Sequence, residues 1–168
     1  MKMFKSVLVL SLVLVCSMSA VFAEQFISVN DLEAMAVTAK TEYDGFIFNA
    51  IDGKAINIEM IDQPRTAEDG EIFNGRIKLN GSGNLEYRSI HFSVKAKAKL
   101  TVYLNSSSKT DARILALVSA DGTEIATMTA PPDTGTVAGI AVVEIPAPGS
   151  YAIFSKGSGI NIYQIIIE

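Results

Sequence analysis

The sequence predicts an all-β fold: an antiparallel β-sandwich, jelly-roll-like, with one short N-terminal helix. Apolar and polar residues alternate with a period of two through run after run, as in Ile90, Phe92 and Val94 against Ser89, His91 and Ser93. Gly, Pro, Asn and Asp cluster between those runs, at the spacing of turns in a sandwich. A jelly roll fits better than an immunoglobulin sandwich, because Trp is absent and Cys occurs once, which leaves no Trp to pack on a cysteine pair.

Residues 1–23 read as a signal peptide outside the fold. Lys2 and Lys5 give a positive start, Val7 to Val15 is an almost unbroken apolar run, and Val21-Phe22-Ala23 offers side chains that signal peptidase accepts. The run is shorter than the about 20 apolar residues of a spanning helix, and no charged stop follows it. A lipoprotein signal ending at Cys16 fits less well, because Val15 stands where such signals carry a small residue. The mature chain is expected to begin at Glu24, with residues 24–168 as one domain, no membrane span after cleavage, and a secreted, periplasmic or extracellular destination. Cleavage removes two lysines and no acids, so the basic count falls from 14 to 12 against 18 acidic residues and the net charge becomes −6. It also removes the only cysteine, so the mature fold must rest on core burial, for which about 145 residues suffice.

Ser28-Val29-Asn30-Asp31-Leu32-Glu33 has the form of a helix start, with Ser28 or Asn30 as cap and acids in the first turn, ending near Thr38 to Thr41. Everything later reads as strand. Candidate strands cover 46–50, 55–61, 72–79, 87–94, 99–106, 113–119, 124–129, 139–145, 151–155 and 160–167. Between them stand Asp52-Gly53, Asp69-Gly70, Asn80-Gly81-Ser82-Gly83, Asp121-Gly122, Pro131-Pro132-Asp133, Pro148-Gly149 and Gly157-Ser158-Gly159.

The stretch from Tyr87 to Ser119 carries the main polar constellation. Ile90, Phe92 and Val94 share one face of the first strand, and Leu100, Val102 and Leu104 one face of the second. Pairing Val94 with Leu100 across a turn of Lys95 to Lys99 places Arg88 opposite Ser106. The chain leaves through Ser106, Ser107, Ser108, Lys109 and Thr110 and re-enters a strand at Arg113, so Arg88, the serine loop and Arg113 are expected at one rim.

Catalysis has little to build on. The single His91 sits mid-strand, opposite in face to Ile90 and Phe92, and reads as an outward strand residue. Gly-x-Ser-x-Gly is absent. Asp31 with Glu33, and Glu42 with Asp44, are the carboxylate pairs, but they lie at a helix start and on a loop, where capping and solvation explain them. Asn80 to Gly83 is a turn and not a phosphate loop, since no Lys-Ser/Thr follows it. An acidic chain without a basic stripe gives no basis for nucleic-acid binding. No cofactor is expected. Asp44, Asp52, Asp62 and Glu168 are oxygen donors of the kind a structural calcium takes, without the spacing of a calcium loop.

Binding is easier to assemble. A sugar takes planar bidentate donors, small hydroxyl and amide groups, and an aromatic face for its C–H side. Arg88, Arg113, Asn105, Ser106, Ser107 and Ser108 supply the first two, and Tyr87 and Tyr103 are candidates for the third. Tyr163, on the final strand with Asn161, either lines a groove or caps the core. Two arginines in an acidic protein point to an acidic ligand, because a guanidinium fork matches a carboxylate. The structural alternative pairs Arg88 with Glu86 and Arg113 with Asp111.

Phe48-Asn49-Ala50-Ile51-Asp52-Gly53-Lys54, Tyr87-Arg88-Ser89-Ile90-His91-Phe92, Leu100-Thr101-Val102-Tyr103, Ser106-Ser107-Ser108 with Asp111-Ala112-Arg113, and Gly159-Ile160-Asn161-Ile162-Tyr163 together resemble a known family. It is the non-catalytic β-sandwich module found beside the parallel β-helix domain in secreted bacterial pectate lyases and related polysaccharide-degrading proteins. The resemblance runs from Asp44 to the C-terminus in the same order. It implies a jelly-roll-like carbohydrate-binding role, towards a polysaccharide or oligosaccharide such as pectin, whose galacturonate carboxylates suit Arg88 and Arg113. The enzyme domain is missing here, so targeting an attached catalyst is not the expected task. A structural or adhesive envelope protein without a glycan ligand is the competing expectation.

Overall fold

Alternating strands with one apolar face each can be buried only against a second sheet, and that is how this chain folds. The structure is a computed structural model and describes residues 25 to 168, so the expected signal peptide, residues 1–23, and its cleavage site lie outside the described residues. In chain order the strands are β1 (Gln25–Ser28), β2 (Met35–Val37), β3 (Thr41–Tyr43), β4 (Phe46–Asn49), β5 (Ile56–Thr66), β6 (Ile72–Leu79) and β7 (Ser89–Val94). They continue as β8 (Ala98–Ser106), β9 (Arg113–Ser119), β10 (Glu124–Ala130), β11 (Gly139–Ile145), β12 (Gly149–Ser155) and β13 (Ile160–Ile167). A seven-stranded sheet runs β11-β8-β13-β6-β5-β2, with β1 also paired to β13, and a six-stranded sheet runs β10-β9-β12-β7-β4-β3. Neighbouring strands are antiparallel in both, for instance β12 against β7 and β13 against β8.

The core lies between the sheets. Phe46, Phe48, Ile90, Phe92, Leu115, Leu117 and Ile153 from the smaller sheet meet Ile56, Ile77, Leu79, Leu100, Val102, Leu104, Ile160, Ile162 and Ile165 from the larger. Each such aliphatic or phenyl side chain, fully buried, contributes about 1.5–3 kcal/mol of transfer free energy. The expected parity holds over most of β7, where Ile90, Phe92 and Val94 are buried, Ser93 is exposed and His91 is half-buried, but Ser89 is buried as well. Phe46, Phe92 and Tyr151 add ring contacts at the edge of this core, at centroid separations of 6.1 and 6.2 Å.

Two sequence expectations are corrected. Ser28 does cap, its Oγ accepting from the Asn30 N–H at 3.3 Å, but only a single 3-10 turn, Val29–Asp31, follows before Leu32 returns to extended backbone. The reason is tertiary. Asn30 donates from Nδ2 to the Ile72 carbonyl at 2.8 Å and accepts from the Asn74 N–H at 3.0 Å, which ties the turn to β6. The residues beyond it are then drawn out as β2 to pair with β5.

The second correction concerns the pairing of Val94 with Leu100. β7 and β8 belong to different sheets, β7 between β12 and β4, β8 between β11 and β13. The link Lys95-Ala96-Lys97 therefore carries the chain from one layer to the other and is not a hairpin turn. Both strands still run in the senses that the hairpin required. Their far ends, at Arg88 and Ser106, consequently lie at the same end of the sandwich.

Candidate ligand-binding rim

That end gathers the loops 80–88, 107–112, 131–138 and 156–159. Asn84 organises the first of them: its Oδ1 accepts from the N–H groups of Glu86 at 2.8 Å and Tyr87 at 3.1 Å, and its own N–H reaches the Tyr87 carbonyl. The Gly83 N–H donates to the Ser155 carbonyl at 3.0 Å, anchoring the loop to β12. Closing so tight a loop leaves Arg88 with φ of 49°, in the left-handed region that a side-chain-bearing residue enters at a cost. The Arg88 side chain then folds back over Gly81, where a Cβ would stand 2.8 Å from Nη1.

Arg113, at the start of β9, donates from Nη1 to Ser107 Oγ at 2.6 Å and to the Gly159 carbonyl. A Cβ at Gly159 would sit 3.5 Å from that Nη1 and 3.1 Å from the Leu79 carbonyl. Arg113 thus closes on Gly159 just before β13, and Arg88 on Gly81 just after β6. Neither forms an ion pair among the described residues, so Glu86 does not neutralise Arg88 and Asp111 does not neutralise Arg113. Asp111 is taken up by the serine loop: its Oδ2 accepts from Ser108 Oγ at 2.9 Å and its N–H donates back to that hydroxyl at 3.0 Å. The Arg88 Nε is buried with no hydrogen-bond partner among the described residues.

Of the other sequence-derived site residues, Ser107 is exposed, Ser108 half-buried, and Tyr87 half-buried with Lys54 Nζ 5.4 Å from its ring centroid. Ser106 is fully buried and its Oγ accepts from the Ser108 N–H at 3.0 Å. Asn105, Tyr103 and Tyr163 lie on the outer face of the seven-stranded sheet, which is covered and not open to solvent. Tyr103 donates to Asp69 Oδ2 at 2.5 Å and packs on Phe73 at 5.3 Å, while Tyr163 is 0 % exposed and stacks on Phe73 at 5.4 Å. Burial pushes both phenols up, and the Tyr103 O–H holds the Asp69 carboxyl below its usual range. In this arrangement Tyr103, Tyr163, Asn105 and Ser106 offer no face to a ligand at the rim.

The cover over that outer face is what the sequence reading missed. Arg65 donates from Nε and Nη2 to the two oxygens of Asp133, at 2.8 and 3.0 Å, with both residues 9 % exposed. Burial alone would raise the Asp133 carboxyl, but the Arg65 fork and the Gly135 N–H outweigh it and hold the group below its usual range. Arg76 similarly donates to Glu59 Oε2 at 2.9 and 2.6 Å. Beneath Asp133 lie Asn161, whose Nδ2 is 3.4 Å from Asp133 Oδ2, and Asn105, bonded at 3.3 Å to the Pro132 carbonyl. Asn161 Oδ1, Asn105 Oδ1 and the Tyr163 hydroxyl have no hydrogen-bond partner among the described residues.

His91 is half-buried beside Ser89, with 2.9 Å between Nε2 and Oγ, and burial pushes its imidazole down. Among the described residues no group of three or more His, Cys, Asp or Glu is placed to hold a metal ion. The calcium-type donors Asp44, Asp52, Asp62 and Glu168 do not converge, and Glu168 pairs with Lys99. No helix of the described residues is long and apolar enough to cross a membrane.

Compared by sequence, the chain matches no protein-family model and no curated protein. Compared by structure, it superposes on a family 35 carbohydrate binding module from an environmental isolate with a TM-score of 0.51 and 20% identity, covering 77% of this chain and 90% of that one. The two share a fold. A chain solved in work on glycan recognition in the Ruminococcus flavefaciens cellulosome superposes with a TM-score of 0.51 and 16% identity, over 87% of this chain and 93% of that one. At such identities the carbohydrate-binding likeness is one of architecture, and the side chains of the rim are this chain's own.

Proposed function

We propose that the protein is an exported, non-catalytic carbohydrate-binding protein whose rim takes an acidic polysaccharide, with polygalacturonate as the probe of first choice. The observation that carries this reading is that Arg88 and Arg113 stand in loops at the same end of the sandwich with no carboxylate of the described residues on either. A guanidinium left without an acid in a chain of net negative charge is a place for an external carboxylate. Ser107 and Ser108 add hydroxyl groups beside Arg113, and Tyr87 the half-exposed ring. The shared architecture with a carbohydrate binding module and the resemblance to the pectate lyase-associated module support the same reading.

Affinity electrophoresis in polygalacturonate tests it. Arg88→Ala is expected to weaken retardation by roughly tenfold or more, the loss of about one charge-assisted contact. Migration of Arg88→Ala and Arg113→Ala identical to the parent overturns it. For Arg113 the bonds to Ser107 and the Gly159 carbonyl favour a second reading, a strap that holds the serine loop in a structural or adhesive protein. On that reading Arg113→Ala lowers the thermal midpoint and leaves glycan migration unchanged, and Arg88→Ala changes neither.

A further inference from the structure

A different part of the molecule has the makings of a ligand site. β5 and β6 pair regularly up to Met60 opposite Gly75 and resume at Arg65 opposite Phe73, so the β5 side carries extra residues that bow away from its partner. Irregularities of this kind re-aim side chains and recur next to binding sites. Here the bow opens a groove of about 320 Å³ on the outer side of the seven-stranded sheet, walled by Met60, Ile61, Gln63, Arg65, Arg76 and Lys109. That volume is at the lower end of the range of small-molecule sites, about 300–1,000 Å³.

The chemistry of the walls selects the ligand. Arg65 already has Asp133 and Arg76 already has Glu59, each through a two-nitrogen fork, and Lys109 shares the groove with Asp62. Lys78 Nζ stands 3.8 Å from the same Glu59, and with a carboxylate already on each arginine neither guanidinium is left as an open place for an anion. A guanidinium nevertheless has more N–H groups than its carboxylate consumes, and a paired arginine held in place offers the remainder as fixed donors. Gln63 adds an amide, and Met60, at 63 % exposure, sets an apolar thioether against the polar wall. Close to Arg65 stands the buried hydroxyl of Tyr163. Fixed donors and acceptors on one side with an apolar surface on the other match the hydroxyl edge and the C–H face of a sugar ring.

We infer that this groove is a second ligand site, separate from the arginine rim, and that it takes an uncharged, hydroxyl-rich ligand of the size of a short neutral oligosaccharide. It borders the rim through the serine loop, whose Ser108 carbonyl accepts from the Asp133 N–H at 2.9 Å and whose Lys109 lines the groove, and through the 131–138 loop, whose Gly135 lines it too. Because both arginines of the wall are matched internally, binding of an uncharged ligand here depends little on salt, whereas binding of polygalacturonate at the rim weakens as salt rises.

The test uses methionine-methyl-labelled protein beginning at Glu24, titrated to millimolar concentration with cellohexaose, xylohexaose or mannohexaose. The Met60 methyl signal is expected to shift with at least one probe, and that of Met128, buried in the smaller sheet, to stay in place. A Gln63→Ala and Arg76→Gln double variant, judged folded by an unchanged Met128 signal, is expected to weaken binding about tenfold. Arg88→Ala should leave it unaltered. No Met60 shift with any of the neutral probes, or a shift undiminished in the folded double variant, overturns the assignment. Failure of polygalacturonate binding alone would bear on the rim and leave the groove standing.

Discussion

Asp133 shows what a single residue does for the outer face. It accepts the Arg65 fork, the Gly135 N–H and a long contact from Asn161, so it joins β5, the 131–138 loop and β13 through one carboxylate. Its folded-state value is lowered, so the stabilisation is fully present above the ordinary aspartate value of about 3.9 and is lost as pH falls through the lowered one. Asp133→Asn leaves Arg65 buried without its counter-charge and is expected to cost about 3 kcal/mol in urea unfolding at neutral pH. The gap between variant and parent should narrow as the solution is acidified through that window; a gap independent of pH would mean that the carboxylate is not what matters. None of this was legible in the sequence, because Arg65 and Asp133 stand 68 positions apart and neither belongs to a local pattern. That Arg88, Ser107 and Arg113 lie at one end was legible from the opposite senses of β7 and β8 and the short loop before β9, although the register that parity suggested for β7 and β8 does not form.

For the elements, alternation located ten of the strands, and the turn residues located most of the breaks between them. What alternation does not encode is the layer to which a strand belongs. A short link such as Lys95-Ala96-Lys97 serves equally to fold a hairpin or to cross between sheets, and the burial pattern of β7 and β8 is the same in both cases. The outer face of β8 could not be foreseen for a related reason: its cover comes from residues 61–73 and 131–138, which carry no periodic signal. The 80–88 loop is different, since Gly83 marks its tightest point. A Cβ there would lie 2.4 Å from the Arg88 carbonyl oxygen and 2.9 Å from that of Tyr87, both backbone atoms. Gly83→Ala is expected to lower stability by about 1–3 kcal/mol and to weaken polygalacturonate retardation by displacing Arg88. A variant as stable and as well retained as the parent would show that the loop is slack.

In the molecule as a whole, cohesion comes from packing. The single cysteine of the sequence, Cys16, lies outside the described residues, and the fold has no covalent cross-link to add to its core. Thermal unfolding of protein beginning at Glu24 should therefore give the same midpoint with and without reductant. Ile162→Ala, at a side chain 0 % exposed between the sheets, should cost about 2–5 kcal/mol, while Val142→Ala, on edge strand β11 and 53 % exposed, should change stability by less than about 0.5 kcal/mol. Equal effects of the two would contradict a core confined between the layers.

β13 has a further consequence. It touches β8 along one side, and β6 and then β1 along the other, so the earliest strand of the described chain and two later ones all meet through it. Until residues 160 to 167 have arrived, the larger layer is three pieces without a shared ladder, β11 with β8, β6 with β5 and β2, and β1 by itself, each with open hydrogen-bonding edges. Everything made before them has to wait, and a product cut short of Ile160 has no native state to settle into.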